Sequence, residues 1–267
     1  MRGLLGSLAI RISRSKLLLW LYEKSLLKQV SQMPMPSHIG IIMDGNRRWA
    51  ELKGLDRSLG HVFGAKKVEE VIKWCYELGV KTLTLYVLST ENLNRPPDEV
   101  KLILSLFKDK LLEIMDNGVF HKYQIRFKVI GRRELIPLEV LQQIEKVEKD
   151  TEKYSSYYLN VALAYGGRAE IVDAVKSIAR DVSNKTLDPE DIDEETVSSR
   201  LYTAHLPKPD PDLIIRTSGE ERLSNFLLWQ SAYSELVFID VYWPEFRKID
   251  LLRAIRTYQK RKRRFGL

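Results

Sequence analysis

The pattern that most constrains this chain is an alternation of short, almost wholly apolar runs with longer segments whose apolar residues recur at helical spacing. The short β-type runs are His38 to Met43, Thr82 to Leu88, Ile125 to Ile130, Leu159 to Ala164, Leu213 to Arg216 and Leu236 to Val241. Helical patterns lie between and after them, at about 62–78, 97–120, 137–153, 168–182, 190–203, 223–233 and 249–263. A strand that is apolar at consecutive positions, rather than at every second one, has both faces buried. Six such strands separated by helices predict an α/β fold: a single domain with a mostly parallel central sheet flanked by helices on both faces. No repeat, low-complexity tract or internal linker divides it, so residues 34–267 form the domain and residues 1–33 an N-terminal extension. The prolines of Met33-Pro34-Met35-Pro36 mark the boundary.

The extension is basic and amphipathic. Leu4, Leu8, Ile12, Leu19, Tyr22 and Leu26 fall close to one helical face, with Arg and Lys on the other. Such a helix either lies in a membrane interface or packs onto the body or a partner chain. No stretch is long and apolar enough to span a bilayer, and Gly3 to Ile10 is followed by Arg11, Arg14 and Lys16 rather than by a cleavage site. The expected location is the cytoplasm, with contact at the membrane surface as one reading of the extension. Cys75, the sole cysteine, excludes an intrachain disulfide and falls at a helical position among Val68, Val71, Ile72 and Leu78, as an inert buried residue would.

Charge is distributed unevenly. Of the net +7, residues 1–33 carry +5 and residues 247–267 carry +8, which leaves −6 for the body. A basic balance implies an acidic partner, whether nucleic acid, anionic membrane or phosphorylated small molecule.

In open parallel sheets, ligands bind beyond the carboxyl ends of the strands. The expected exits are Asp44-Gly45-Asn46-Arg47-Arg48-Trp49, Ser89-Thr90-Glu91-Asn92-Leu93-Asn94-Arg95, Tyr165-Gly166-Gly167-Arg168 and Arg216 to Arg222. Each pairs arginine with small or amide residues. The first has the parts of a diphosphate site: a tight turn, a helix start and arginines. Asp44 would repel a polyphosphate unless a hard cation such as Mg²⁺ lies between them; otherwise it is a helix cap. Arg216, Arg222 and Ser224 repeat the chemistry and suffice for a second diphosphate. Glu235, a carboxylate in the otherwise uncharged stretch from Phe226 to Ile239, is either a second metal ligand or a surface residue. Asn92, Ser89 and His61 can relay a proton, although a lone histidine is more often structural. The apolar helices at 62–78 and 97–120, with Leu104 and Leu111 as candidates for a closed end, either line a tunnel for a hydrocarbon tail or are ordinary core.

Read together, His38-Ile39-Gly40-Ile41-Ile42-Met43-Asp44-Gly45-Asn46-Arg47-Arg48-Trp49-Ala50 resembles the first signature of the cis-prenyltransferases, the undecaprenyl and dehydrodolichyl diphosphate synthases. The resemblance continues through Gly60-His61, Ser89-Thr90-Glu91-Asn92 with Arg95-Pro96, Tyr165-Gly166-Gly167-Arg168 and Asp212 to Gly219. It goes on through Arg222, Ser224 to Gln230, Tyr233 to Leu236 and Trp243-Pro244, and closes with Arg263-Arg264-Phe265-Gly266.

It implies sequential condensation of isopentenyl diphosphate with an allylic diphosphate, farnesyl or geranylgeranyl, to a long cis-polyprenyl diphosphate that precedes a glycosyl carrier lipid. By that resemblance Asp44 holds Mg²⁺ and assists departure of the allylic diphosphate. Gly45, Asn46, Arg47, Arg48, Trp49 and Arg57 belong to that substrate. Arg216, Arg222, Leu223 and Ser224 belong to isopentenyl diphosphate. Asn92 helps remove the proton with His61 nearby, and Ser89, Thr90, Glu91 and Arg95 complete the substrate surface. Glu235 joins Asp44 at the metal. The tail residues Arg264 and Gly266 reach the active site of a partner subunit, which implies a homodimer. Two positions depart from the family pattern: Leu93 stands where an aromatic residue is usual, and Glu221 where histidine is usual. Nucleic acid is not expected as a partner, because the basic tail has neither interleaved aromatics nor a recognition fold.

Overall fold

The computed structural model describes residues 16–261. Its sheet has six strands, β1 (His38–Ile42), β2 (Thr82–Ser89), β3 (Ile125–Ile130), β4 (Tyr157–Tyr165), β5 (Leu213–Thr217) and β6 (Glu235–Ile239). Their order is β3-β4-β2-β1-β5-β6, and every pairing is parallel. The described helices are α1 (Lys16–Ser31), α2 (Asn46–Leu52), α3 (Arg57–Glu77), α4 (Pro97–Asp116), α5 (Val119–Tyr123), α6 (Leu138–Thr151), α7 (Gly167–Ser183), α8 (Glu194–Ser198) and α9 (Lys248–Lys260).

The apolar strands are buried on both faces by alternation. Ile39, Ile41, Leu83, Leu85, Leu159, Val161, Leu213 and Ile215 point into a large core built with α1, α3, α4, α5, α6 and α9. Ile42, Tyr86, Ala162 and Ile214 point the other way, against Tyr165, Phe226 and Leu227. On that second side Glu170 of α7 accepts bonds from Tyr165 Oη at 2.5 Å, the Tyr202 amide at 2.7 Å and Gln230 Nε2 at 3.1 Å.

This face also holds a buried polar row: His38 Nε2 lies 2.8 Å from Thr84 Oγ1, Asn160 Nδ2 donates to the same hydroxyl, and Asn160 Oδ1 meets His205 Nε2 at 3.0 Å. Burial pushes both imidazoles down to about 4.

Several helical expectations need correction. Residues 223–233 form turns, because Ser224, Asn225 and Leu227 adopt φ of 48°, 66° and 45°, which no right-handed helix accommodates. Of 190–203, only Glu194–Ser198 is α-helical. The 97–120 pattern ends at Asp116, where Gly118 turns with φ 69° before α5.

Leu4, Leu8 and Ile12 lie outside the described residues. The rest of that apolar face packs onto the body: Leu26 and Val30 are fully buried, Leu19 and Tyr22 partly so, and Gln259 of α9 donates to the Val30 carbonyl at 2.9 Å. A second apolar group on α1, Leu17, Leu18, Trp20 and Leu21, is exposed. Cys75 is buried, and burial pushes its thiol up to about 12, which leaves it unreactive. Among the described residues no helix is long and apolar enough to cross a membrane.

Candidate active site

Three strand exits converge on one polar cavity of about 480 Å³ at the carboxyl end of β1, β2 and β5. At the first, Asp44 is followed by Gly45, whose φ of 100° starts the turn into α2; a Cβ there would sit 2.5 Å from the Tyr242 ring, so glycine alone fits. Asp44 Oδ2 accepts from Arg216 Nη2 at 2.7 Å, and Oδ1 accepts from the Gly45 amide at 2.6 Å with Arg48 at 3.4 Å. Burial works to raise the Asp44 carboxyl, but the bond and charge of Arg216, then Arg48 and the Gly45 amide, hold it below the usual carboxylate range.

Arg216 is buried and also donates to Ser224 Oγ at 2.7 Å and to the Arg222 carbonyl at 2.5 Å, so it ties the fifth exit to the first. Arg48 donates to Glu220 at 2.8 Å and to Ser218 Oγ at 2.7 Å, and Glu220 also pairs with Arg222.

At the second exit the Ser89 and Asn92 side chains cap each other's backbone: Asn92 N donates to Ser89 Oγ at 3.0 Å, and Ser89 N to Asn92 Oδ1 at 3.4 Å. His61, from α3, faces Glu99 of α4 at 3.3 Å; Glu99 also accepts from Arg95 at 3.0 Å and pairs with Arg47 at 3.5 Å. Burial lowers the His61 imidazole despite the opposing pull of Glu99, so it is neutral near pH 7 and can accept a proton.

The cavity lining brings together Asp44, Gly45, Asn46, Arg47, Arg48, His61, Ser89, Asn92, Arg95, Arg216, Arg222 and Ser224. Other expected site residues lie elsewhere. Trp49 is turned into the core against Phe63, with ring centroids 5.0 Å apart. Arg57 is exposed at the start of α3 and pairs with Glu51 at 2.5 Å. Leu223 packs against the second core cluster, and Thr90 and Glu91 bond to one another beside the cavity.

Glu235 is the largest displacement. It opens β6 opposite Leu213, at the amino end of the sheet, and accepts from Arg261 at 2.6 Å. Within one chain it therefore does not meet Asp44. Arg264 and Gly266 lie outside the described residues.

Glu99, Glu220, Ser218 and Tyr86 carried no role in the sequence reading. Glu99 had one legible signal, its i,i+4 spacing from Arg95 in the first turn of a helix. Of the two departures from the family pattern, Leu93 packs partly buried against the large core, and Glu221 is exposed.

A second, apolar cavity of about 100 Å³ adjoins the first, walled by α3, α4 and the sheet. Ala65, Val68, Leu111, Ile114, Phe120 and Val161 line it, whereas Leu104 packs elsewhere in the core. Met43, Asn46, His61, Tyr86, Val87 and Ile103 line both cavities. A cationic pocket opening on an apolar one suits an anionic headgroup with a hydrocarbon tail.

The family model for undecaprenyl diphosphate synthases matches residues 42–266, nearly the whole of this fold. The chain belongs to that family. It is a prenyl-transferring enzyme of the cis type. It is 53% identical over 246 residues, 92% of this chain and 88% of the relative, to the tritrans,polycis-undecaprenyl-diphosphate synthase (geranylgeranyl-diphosphate specific) of Methanocaldococcus jannaschii. To an isoprenyl transferase of Thermus thermophilus it is 51% identical over 259 residues, 96% of this chain and 98% of the relative. Among solved structures, lavandulyl diphosphate synthase of Lavandula x intermedia with dimethylallyl diphosphate superposes with a TM-score of 0.84. That match is 37% identical and covers 90% of this chain and 100% of the other.

Proposed function

We propose that this cis-prenyltransferase adds isopentenyl diphosphate repeatedly to an allylic diphosphate primer and so makes a long-chain polyprenyl diphosphate, precursor of a glycosyl carrier lipid. The observation that carries the reading is the wall shared by the arginine-lined and apolar cavities, which lets one molecule keep its diphosphate in the first while its chain grows into the second. Geranylgeranyl diphosphate is favoured over farnesyl diphosphate as primer, because the M. jannaschii relative is named for that specificity.

Arg47 and Arg48, with the turn at Gly45 and Asn46, hold the allylic diphosphate. Arg216, Arg222 and Ser224 hold isopentenyl diphosphate. Loss of the allylic diphosphate develops negative charge on its bridging oxygen, which these arginines stabilise, while the apolar cavity shields the cation-like carbon from water. The new carbon–carbon bond forms at that carbon, and a proton then leaves the isopentenyl unit toward Asn92 and neutral His61.

Magnesium fits this donor set. The cavity lining carries five arginines against Asp44 and Glu220, a net of three positive charges, which is less than two diphosphates bring. One carboxylate among phosphate ligands is also a usual Mg²⁺ environment. When bound at Asp44, the ion supplies the remaining charge neutralisation for the departing diphosphate.

Glu235 enters this reading through a second copy of the chain. From the level of Glu235 to that of Arg216 is three residues along the sheet, about 10 Å, and Asp44 lies farther on and two strand spacings aside. The described chain ends at Arg261, beside Glu235. β6 is an edge strand whose residues are all half-exposed. A homodimer paired through that edge by a two-fold axis would bring the partner's Glu235 and tail toward the exit at Ser218 to Arg222. The exposed Leu17, Leu18, Trp20 and Leu21, with Lys24 over the Trp20 ring, support contact of α1 with a membrane surface.

The test is incubation of the purified protein with labelled isopentenyl diphosphate, Mg²⁺ and farnesyl or geranylgeranyl diphosphate in turn, with sizing of the products. Elongated chains support the reading; no elongation with either primer overturns it. Co-expression of Asp44→Ala with a chain ending at Arg261 tests the dimer. Activity restored in the mixture, with neither variant active alone, supports a shared site; an inactive mixture counts against it.

A further inference from the structure

The turns that replace the expected helix at 223–233 hold a residue outside the proposed chemistry. Asn225, directly after Ser224, sits at φ 66° and is joined to two other strand exits. Its Nδ2 donates to Glu91 Oε1 at 2.7 Å, its Oδ1 accepts from the Arg168 amide at 2.9 Å, and its own carbonyl accepts from the Gly167 amide at 2.7 Å. The fit is close: a Cβ on Gly166 would stand 2.7 Å from Asn225 Nδ2 and 2.6 Å from Thr90 Oγ1. Around it, the Thr90 amide donates to the Tyr165 carbonyl at 2.9 Å, and Tyr86 Oη donates to the Ser224 carbonyl at 3.2 Å. Asn225 is not among the cavity-lining residues. An amide side chain with one donor and one acceptor can bridge a carboxylate to a backbone N–H; a carboxylate or an alkyl group cannot do both.

We propose that Asn225 is a positioning residue that fixes the loop bearing Arg222 and Ser224 against the loop bearing Asn92. Through it, the isopentenyl diphosphate headgroup is set at a constant distance from Asn92, whose amide orients the departing proton. The inference rests on the proposed condensation. The neighbours of Asn225 explain two motifs at once: Gly166 is small to admit the clamp, and Glu91 carries charge to accept from it.

The experiment is steady-state kinetics on three variants with geranylgeranyl diphosphate and isopentenyl diphosphate, each variant first shown to melt within a few degrees of wild type. Asn225→Gly keeps the left-handed backbone and deletes the clamp. Asn225→Asp keeps the acceptor for Arg168 but sets a carboxylate against Glu91. Both are expected to lower kcat/KM for isopentenyl diphosphate about 10- to 100-fold while KM for the primer stays within about twofold. In Asn225→Asp/Glu91→Gln the donor and acceptor are exchanged, and the double variant is expected to be several-fold more active than the product of the two single effects allows.

Wild-type kinetics in Asn225→Gly, equal rises in both KM values, or simple additivity in the double variant would overturn the clamp. Wild-type enzyme that fails to elongate at all would instead remove the condensation on which it rests.

Discussion

The two cavities share six wall residues and part of β2, yet they are opposites. The polar one has about 480 Å³ of space and is lined by arginines that already bond to carboxylates. The apolar one has about 100 Å³ and is lined mostly by aliphatic and aromatic side chains. The polar cavity is thus ordered by ion pairs within the chain. On the proposed function, the lengthening chain enters the apolar cavity between α3 and α4. α3 and α4 meet through apolar side chains and through the His61–Glu99 contact at 3.3 Å, whereas the strand exits are fixed by many directional hydrogen bonds.

That contrast can be broken first at the polar end. Asp44→Ala is expected to lower kcat by about 10³-fold or more without changing the length of whatever product forms. Retention of most activity in a turnover assay would show that the charge centre lies elsewhere.

At the apolar end, Leu111→Trp should shorten the products while leaving KM for isopentenyl diphosphate within about twofold. Its overpacking should cost about 1–3 kcal/mol of stability. Products of unchanged length, sized by chromatography, would remove the apolar cavity from chain growth.

Between the two, Glu99→Gln takes away the charge that raises His61 toward its ordinary value. The acid limb of the pH–rate profile is expected to move to lower pH, with a loss of about tenfold in kcat/KM for the primer. A limb that stays in place would exclude His61 as the group it reports.

The smallest effect tests the amino end of β1, away from the polar cavity. His38 is held neutral by burial, down to about 4, so the unfolded chain binds the extra proton between about pH 6.5 and 4. Its contribution to stability is therefore full above pH 6.5 and declines as pH falls through that window, by about 2 kcal/mol at pH 5. Denaturation midpoints at pH 7 and 5 should diverge less in His38→Gln, and an equal divergence would assign the acid sensitivity to other groups.

The strands were legible in the sequence because six apolar runs can be buried on both faces in few ways, and the exits that follow them brought eleven expected residues to one cavity, with His61 added from α3. What was illegible has physical causes. Residues 223–233 have helical periodicity, but three of them take left-handed backbone angles without being glycine, a choice imposed by tertiary bonds such as those at Asn225. Glu235 belongs to a family-like motif, yet a motif does not say at which end of its strand a residue falls; the register opposite Leu213 does. Trp49 and Arg57 stand near the site in sequence, but the helical turn of α2 and the start of α3 point them to core and solvent. Glu99 was missed because its role depends on two helices meeting.

The carboxylates that hold the site's arginines have a further consequence for turnover. Asp44 occupies Arg216, Glu220 occupies Arg48 and Arg222, and Glu99 occupies Arg47 and Arg95. An incoming diphosphate must displace these partners, so each arginine contributes only the difference between two ion pairs. Five bare arginines would hold any diphosphate more tightly than five paired ones do. If the proposed condensation holds, internal competition lets the product's diphosphate exchange from the isopentenyl position to the allylic one between rounds, and lets the finished lipid leave.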